Sequence, residues 1–149
     1  MISKKGILKI ISIIILLTAA FFLFLFIKVH NSYATIIYLN WSVKLPKPYK
    51  EIYRIDSGSS FHGDGQRYHI FEYKNKNDIQ NKLNWKDTKN PEIESEINSV
   101  LDRLNVEEIK RPDFDKKYKY YFKIKEDHSK IYLIFYDDIG KLYIIEDIF

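Results

Sequence analysis

Residues 118–149 read YKYYFKIKEDHSKIYLIFYDDIGKLYIIEDIF, and three strands follow from them. Tyr118, Tyr120, Phe122 and Ile124 alternate with Lys119, Tyr121, Lys123 and Lys125, the period of two that sorts side chains onto the two faces of a strand. Glu126-Asp127-His128-Ser129 is a turn, and Ile131 to Tyr136 is a strand with almost every residue apolar. Asp137-Asp138-Ile139-Gly140 turns the chain again before Leu142 to Phe149. Two loops this short join strands only as an antiparallel meander.

Upstream of Pro112 the period changes to that of a helix. Ile93, Ile97, Val100, Leu101 and Leu104 recur at i, i+4, i+7, i+8 and i+11, one apolar stripe to be buried on a sheet. Asn90 suits the N-cap and Pro91 the first turn. Glu92, Glu94 and Glu96 set negative charge near the positive end of the helix dipole. A shorter helix is expected from Asp78, acting as cap, through Trp85. Before it, Tyr49 to Asp56 and Arg67 to Tyr73 read as strands separated by a Ser- and Gly-rich loop. The order is β-β-α-α-β-β-β. It predicts an α+β domain over residues 49–149, with an antiparallel sheet of about five strands and both helices on one face. The opposite face is then expected to show many of the 12 tyrosines.

The N-terminal part is of another kind. Ile10 to Ile27 runs 18 residues without a charge, a Pro or a Gly. At ~1.5 Å per residue it spans roughly 27 Å, close to the hydrocarbon core of a bilayer. Residues 1–30 are therefore read as a cytoplasmic tip and transmembrane anchor, with the lipid bilayer as partner of Ile10–Ile27. Residues 31–48 form a juxtamembrane junction that Pro46 and Pro48 stiffen. Its apolar residues Ile36 to Leu39 continue as helix into the interface or form an edge strand. Lys4, Lys5 and Lys9 before the span set the N-terminus in the cytoplasm and the domain outside. The rival is a secretory signal peptide cleaved after Ala34, since Ser32 and Ala34 are small residues at the −3 and −1 positions.

Charge removes one class of function. The formal charge is +4, but Lys4, Lys5, Lys9 and Lys28 account for it; elsewhere basic and acidic side chains balance. Nucleic-acid binders concentrate cations on one face, so no nucleic-acid partner is expected. The absence of cysteine leaves no disulfide framework and no thiolate metal site. Lysine far outnumbers arginine, the usage of an AT-rich bacterial genome, and the formal sequon Asn40-Trp41-Ser42 is discounted on that ground.

Two regions gather chemistry. Ser59 to His69 brings His62, Asp64, Arg67 and His69 together with two serines and two glycines. The histidines and the aspartate are a weak zinc set. The glycines with Arg67 are a weak anion cradle, and His62 with Asp64 a weak acid–base pair. Against all three, Asp64-Gly65 is an ordinary turn dipeptide. The second region is an aromatic and basic sheet surface of Lys119, Tyr121, Lys123, Tyr132 and Tyr143, able to bind a protein. Asp137-Asp138 and Glu146-Asp147 are read as solvated carboxylates flanking turns. No nucleophile elbow, P-loop, HExxH or dinucleotide fingerprint is present.

The expectation is a membrane-anchored extracytoplasmic binding domain, not an enzyme and without a cofactor. Its partner is a protein or an envelope component, a toxin met by an immunity-type protein included. The alternatives are a small hydrolase or metal-dependent enzyme using the loop of residues 57–69, and an accessory subunit of a membrane complex recognised through residues 10–41.

Overall fold

The computed structural model describes residues 4–30, 32–58 and 64–149. The chain divides into two compact units, Met1–Lys44 and Leu45–Phe149. Together they are mixed α+β, an apolar N-terminal helix followed by an antiparallel five-stranded sheet with helices.

In the first unit, α1 covers Lys4–His30. Its stretch Gly6–Leu25 has a mean hydropathy of 2.7 over 20 residues, and none of it is buried. By length and composition this helix is able to cross a membrane. Thr18 donates its hydroxyl back to the Ile14 carbonyl at 2.7 Å, so the side chain brings no unmet donor into an apolar surrounding. The junction is helical, not extended: α2 covers Tyr33–Trp41. It ends before the prolines, because Ser42 turns left-handed (φ 57°) and returns its N–H to Tyr38 O.

The second unit holds β1 (Lys50–Asp56), β2 (Gly65–Glu72), α3 (Asn77–Gln80), α4 (Pro91–Arg103), β3 (Lys119–Ile124), β4 (Lys130–Tyr136) and β5 (Lys141–Ile148). The strands lie in the order β1-β2-β5-β4-β3, and every neighbour is antiparallel. β3, β4 and β5 form the predicted meander. The non-local step is β2 against β5, Gly65 opposite Ile148 through Glu72 opposite Lys141, which makes β5 the central strand. Gly140 closes the β4–β5 turn at φ 65°, and a Cβ there would meet the Tyr73 carbonyl oxygen at 2.6 Å.

α4 starts as predicted. The Asn90 side chain accepts from Glu92 N–H (3.1 Å) and Ile93 N–H (3.2 Å), and Pro91 opens the helix. Its stripe Ile93, Ile97, Val100, Leu101 and Leu104 is buried. α3 is a single turn that stops well short of Trp85. The Trp85 indole N–H donates to Ile79 O (3.1 Å) and folds the segment back, and Lys86 pairs with Tyr120 on the edge of β3. Asp78 is not its cap; Asn75 accepts from Asn77 N–H instead.

The tyrosines correct the expected face. Tyr68, Tyr118, Tyr120, Tyr132, Tyr136 and Tyr143 are all buried in one core with the α4 stripe. Each buried ring has a polar end to satisfy, and the rim of this layer supplies acceptors. Tyr68 donates to Lys110 O, Tyr136 to Asp113 O (2.8 Å), Tyr118 to Glu94 and Tyr132 to Glu96. Two of the helix glutamates thus serve as tyrosine acceptors. The opposite face carries Phe71, Leu142, Ile144, Ile131, Leu133 and Phe135, all fully buried. On that face Tyr49 stacks on Phe71 (centroids 3.9 Å apart) and Trp85 packs on Phe135 (5.8 Å).

Candidate functional site

Five of the residues singled out in the sequence, Arg67, His69, Lys119, Tyr121 and Lys123, fall into two groups on the sheet face opposite α4. The first is at the β1–β2–β5 end. In β2, Arg67 lies across from Asp56 and Glu146, and His69 across from Arg54 and Ile144. A bulge in β1 between Glu51 and Tyr53 completes the group. Two residues apart on a regular strand, these side chains would share a face. The extra residue Ile52 puts Glu51 opposite Phe71 and Tyr53 opposite Ile70, and so re-aims Glu51 to the other side. Its carboxylate meets His69 Nδ1 at 2.5 Å.

The electrostatics follow from burial. His69 is 7% exposed. Its pKa is lowered, first by that burial, with Arg54 and Arg67 acting the same way and Glu51 acting against them. Glu146 is fully buried, and burial pushes its carboxyl up to about 8. At neutral pH the face therefore carries a neutral imidazole held by a carboxylate and, diagonally across the β2–β5 pair, a protonated carboxyl. Perturbed groups gathered in this way mark functional sites in many proteins. His69 is only 7% exposed and Glu146 not at all, so little of either group is open to solvent.

The loop's other members separate from this group. Asp64 is exposed and precedes β2. His62, with residues 59–61 and Gly63, lies outside the described residues, so the sets pairing His62 with Asp64 or with His69 are not assembled from what is described. Among the described residues, no three His, Asp or Glu side chains are grouped to hold a metal ion.

The second group is on β3. Lys119, Tyr121 and Lys123 sit opposite Phe135, Leu133 and Ile131, and all three are half-buried. They share their face with Arg67 and His69, but three strand spacings away, roughly 14 Å. Tyr132 and Tyr143 do not join them. Both point to the other face and are buried under α4. Their parity along β4 and β5, opposite to that of Leu133 and Ile144, is the signal that separates them.

Beside β3 a cleft of about 380 Å³ is lined by Lys116, Lys117, Tyr118, Lys119, Phe135, Asp137 and Asp138. Lys119 Nζ holds Asp137 Oδ2 at 2.6 Å. Asp137 Oδ1 is the one buried side-chain polar atom without a hydrogen-bond partner among the described residues. A buried acceptor left unmet is costly, and a donor brought by another molecule would relieve it.

Sequence reasoning missed Glu51 and misjudged Glu146. The register change that aims Glu51 is not written in residue types. Glu146 was legible through its parity, since it continues the alternation of Leu142 and Ile144 on one face of the strand. Asp147 is also not a solvated carboxylate. It is almost buried, accepting from Arg103 Nη2 (2.7 Å) and Gln66 Nε2 (2.9 Å).

Comparison of the chain with protein-family models, with curated proteins and with solved structures finds no match.

Proposed function

We propose that this chain is a membrane-tethered binding protein, with its sheet domain outside the membrane and its partner a protein that docks on β3. The observation that carries the docking surface is Asp137 Oδ1. It is a buried acceptor without a donor, in a cleft bordered by lysines and continuous with the half-buried Lys119, Tyr121 and Lys123. A partner presenting a lysine, an arginine or a backbone N–H would meet that acceptor, while Tyr121 and the lysine stems give apolar contact area. The tether rests on Gly6–Leu25, fully unburied and long enough to span. The outward orientation rests on Lys4, Lys5 and Lys9.

The test is photo-cross-linking in intact cells, with a benzoylphenylalanine at position 121 and, as control, at the exposed position 92 on α4. A discrete adduct from 121, absent from 92 and lost in Asp137→Ala, supports the reading. Equal patterns from both positions sink it. Protease shaving of protoplasts, with a tag following Phe149, reports the side: a protected tag would put the domain in the cytoplasm.

A second reading, a small hydrolase or metal-dependent enzyme, is favoured only by the His69–Glu51 pair. Stoichiometric metal in the purified full chain, lost in both His69→Ala and Asp64→Ala, would put it first.

A further inference from the structure

α2 has two apolar sides. Ala34, Ile37 and Trp41 form its buried stripe, at spacings of i, i+3 and i+7. Opposite them lie Ile36 and Leu39, and Tyr38 flanks the stripe; they are 37%, 73% and 53% exposed. None of its nine residues is charged. A helix with one side buried and the other in water normally turns charged or polar residues outward. Here Leu39, the most exposed of the three, is among the most apolar.

The sequence around α2 agrees. Between Lys28 and Lys44 there is no charged residue, whereas the Leu45–Phe149 unit is densely charged. α1 continues five residues past Leu25 to His30. At ~1.5 Å per residue that is roughly 8 Å, about the depth of one headgroup layer. α2 then begins within three residues, at Tyr33. The chain therefore reaches the membrane surface where this two-sided helix starts. Tyr33 and Tyr38 are residues of the kind enriched at that level.

We propose that α2 lies along the outer headgroup layer, with Ile36, Tyr38 and Leu39 in contact with lipid. It is a collar of lipid contact that follows the anchor along the chain. This rests on the reading of α1 as a retained anchor, and the experiment keeps the two separable.

The absence of cysteine allows single labels anywhere in the chain. The full chain is reconstituted in phosphatidylcholine–phosphatidylglycerol vesicles, with a nitroxide at Ile36→Cys, Leu39→Cys, Leu17→Cys or Ile109→Cys. Power saturation with oxygen and with a water-soluble nickel chelate gives the depth of each label. Leu17 reports the anchor, and Ile109, 86% exposed in the second unit, reports water. The expected result is a deep label at 17, an aqueous one at 109, and labels at 36 and 39 shifted into the interfacial range, with lower nickel and higher oxygen collision than at 109. Labels at 36 and 39 matching 109, with 17 deep, would overturn the collar and spare the anchor. Labels at 36 and 39 shielded from both reagents would also overturn it, in favour of a protein seated on that face. A label at 17 that is not deep would overturn the anchor, and the collar with it.

Discussion

The two faces of the sheet are both buried, yet they are built on different rules. Under α4 the sheet offers tyrosines, and each ring is inside while its hydroxyl or edge reaches the rim. The other face is aliphatic along β4 and the first part of β5, from Leu133 and Phe135 to Leu142 and Ile144. It turns polar at its two edges, with Arg67, His69 and Glu146 at one and Lys119, Tyr121 and Lys123 of β3 at the other. Tyrosine on alternate positions thus does not mark an open face; it marks a face whose covering layer has acceptors at its margin. In this protein the acceptors are Glu94, Glu96 and two backbone carbonyls.

This contrast can be broken most forcefully on β4, where neighbours point to opposite faces. Leu133→Ala opens a cavity on the aliphatic face and is expected to cost about 2–5 kcal/mol in denaturant unfolding. Tyr132→Phe on the other face removes only a hydroxyl bond to Glu96, which keeps its Lys130 partner at 2.7 Å. It should cost about 1 kcal/mol. Equal losses from the two variants would refute the distinction.

Glu146 sharpens it through pH. Its folded pKa is raised from 4.5 to about 8 by burial. The folded state then holds a proton that the unfolded chain releases, and stability falls as pH rises from about 4.5 to about 8. Glu146→Gln should match the parent near pH 5 and exceed it at pH 8, by on the order of a few kcal/mol. A constant difference across that range would mean that the carboxyl is ionised in the fold. His69 works the other way. Its pKa is lowered, so stability is lost as pH falls through its unfolded value near 6.5. His69→Asn should flatten the acid limb alone, by a smaller amount because the bond to Glu51 opposes the burial.

At the small end stand the helix cap and the loop. Asn90→Ala should cost about 1 kcal/mol. Asp64→Ala, at an exposed position before β2, should stay within about 0.5 kcal/mol. A larger effect of Asp64 on thermal unfolding would mean that its contacts at the start of β2 support the fold.

What was legible in the sequence was local. The Asn90-Pro91 start of α4, its stripe from Ile93 to Leu104, and the strands of residues 118–149 follow from period and turn chemistry. So does the apolar run of α1. What was not legible depended on partners distant in sequence. The pairing of β2 with β5 decides which side each tyrosine takes. The bulge at Ile52 changes which side Glu51 takes, and nothing in KEIYRID announces it. α3 stops early because Trp85 folds back on Ile79, a bond that a capping residue and a propensity do not reveal. The site shared these limits: His69 was named, but neither the burial that lowers its pKa nor the Glu51 carboxylate that opposes it was.

The position of β5 has a consequence for how the domain comes into being. Of the five strands it is the last to be synthesised, and it sits between two hairpins that precede it, Lys50–Glu72 and Lys119–Tyr136. Until residues 141–148 are available, neither hairpin has its inner neighbour, and α4 has only part of a surface to cover. The domain therefore closes its core only when its last strand becomes available, and until then it holds two open strand edges, on β2 and β4.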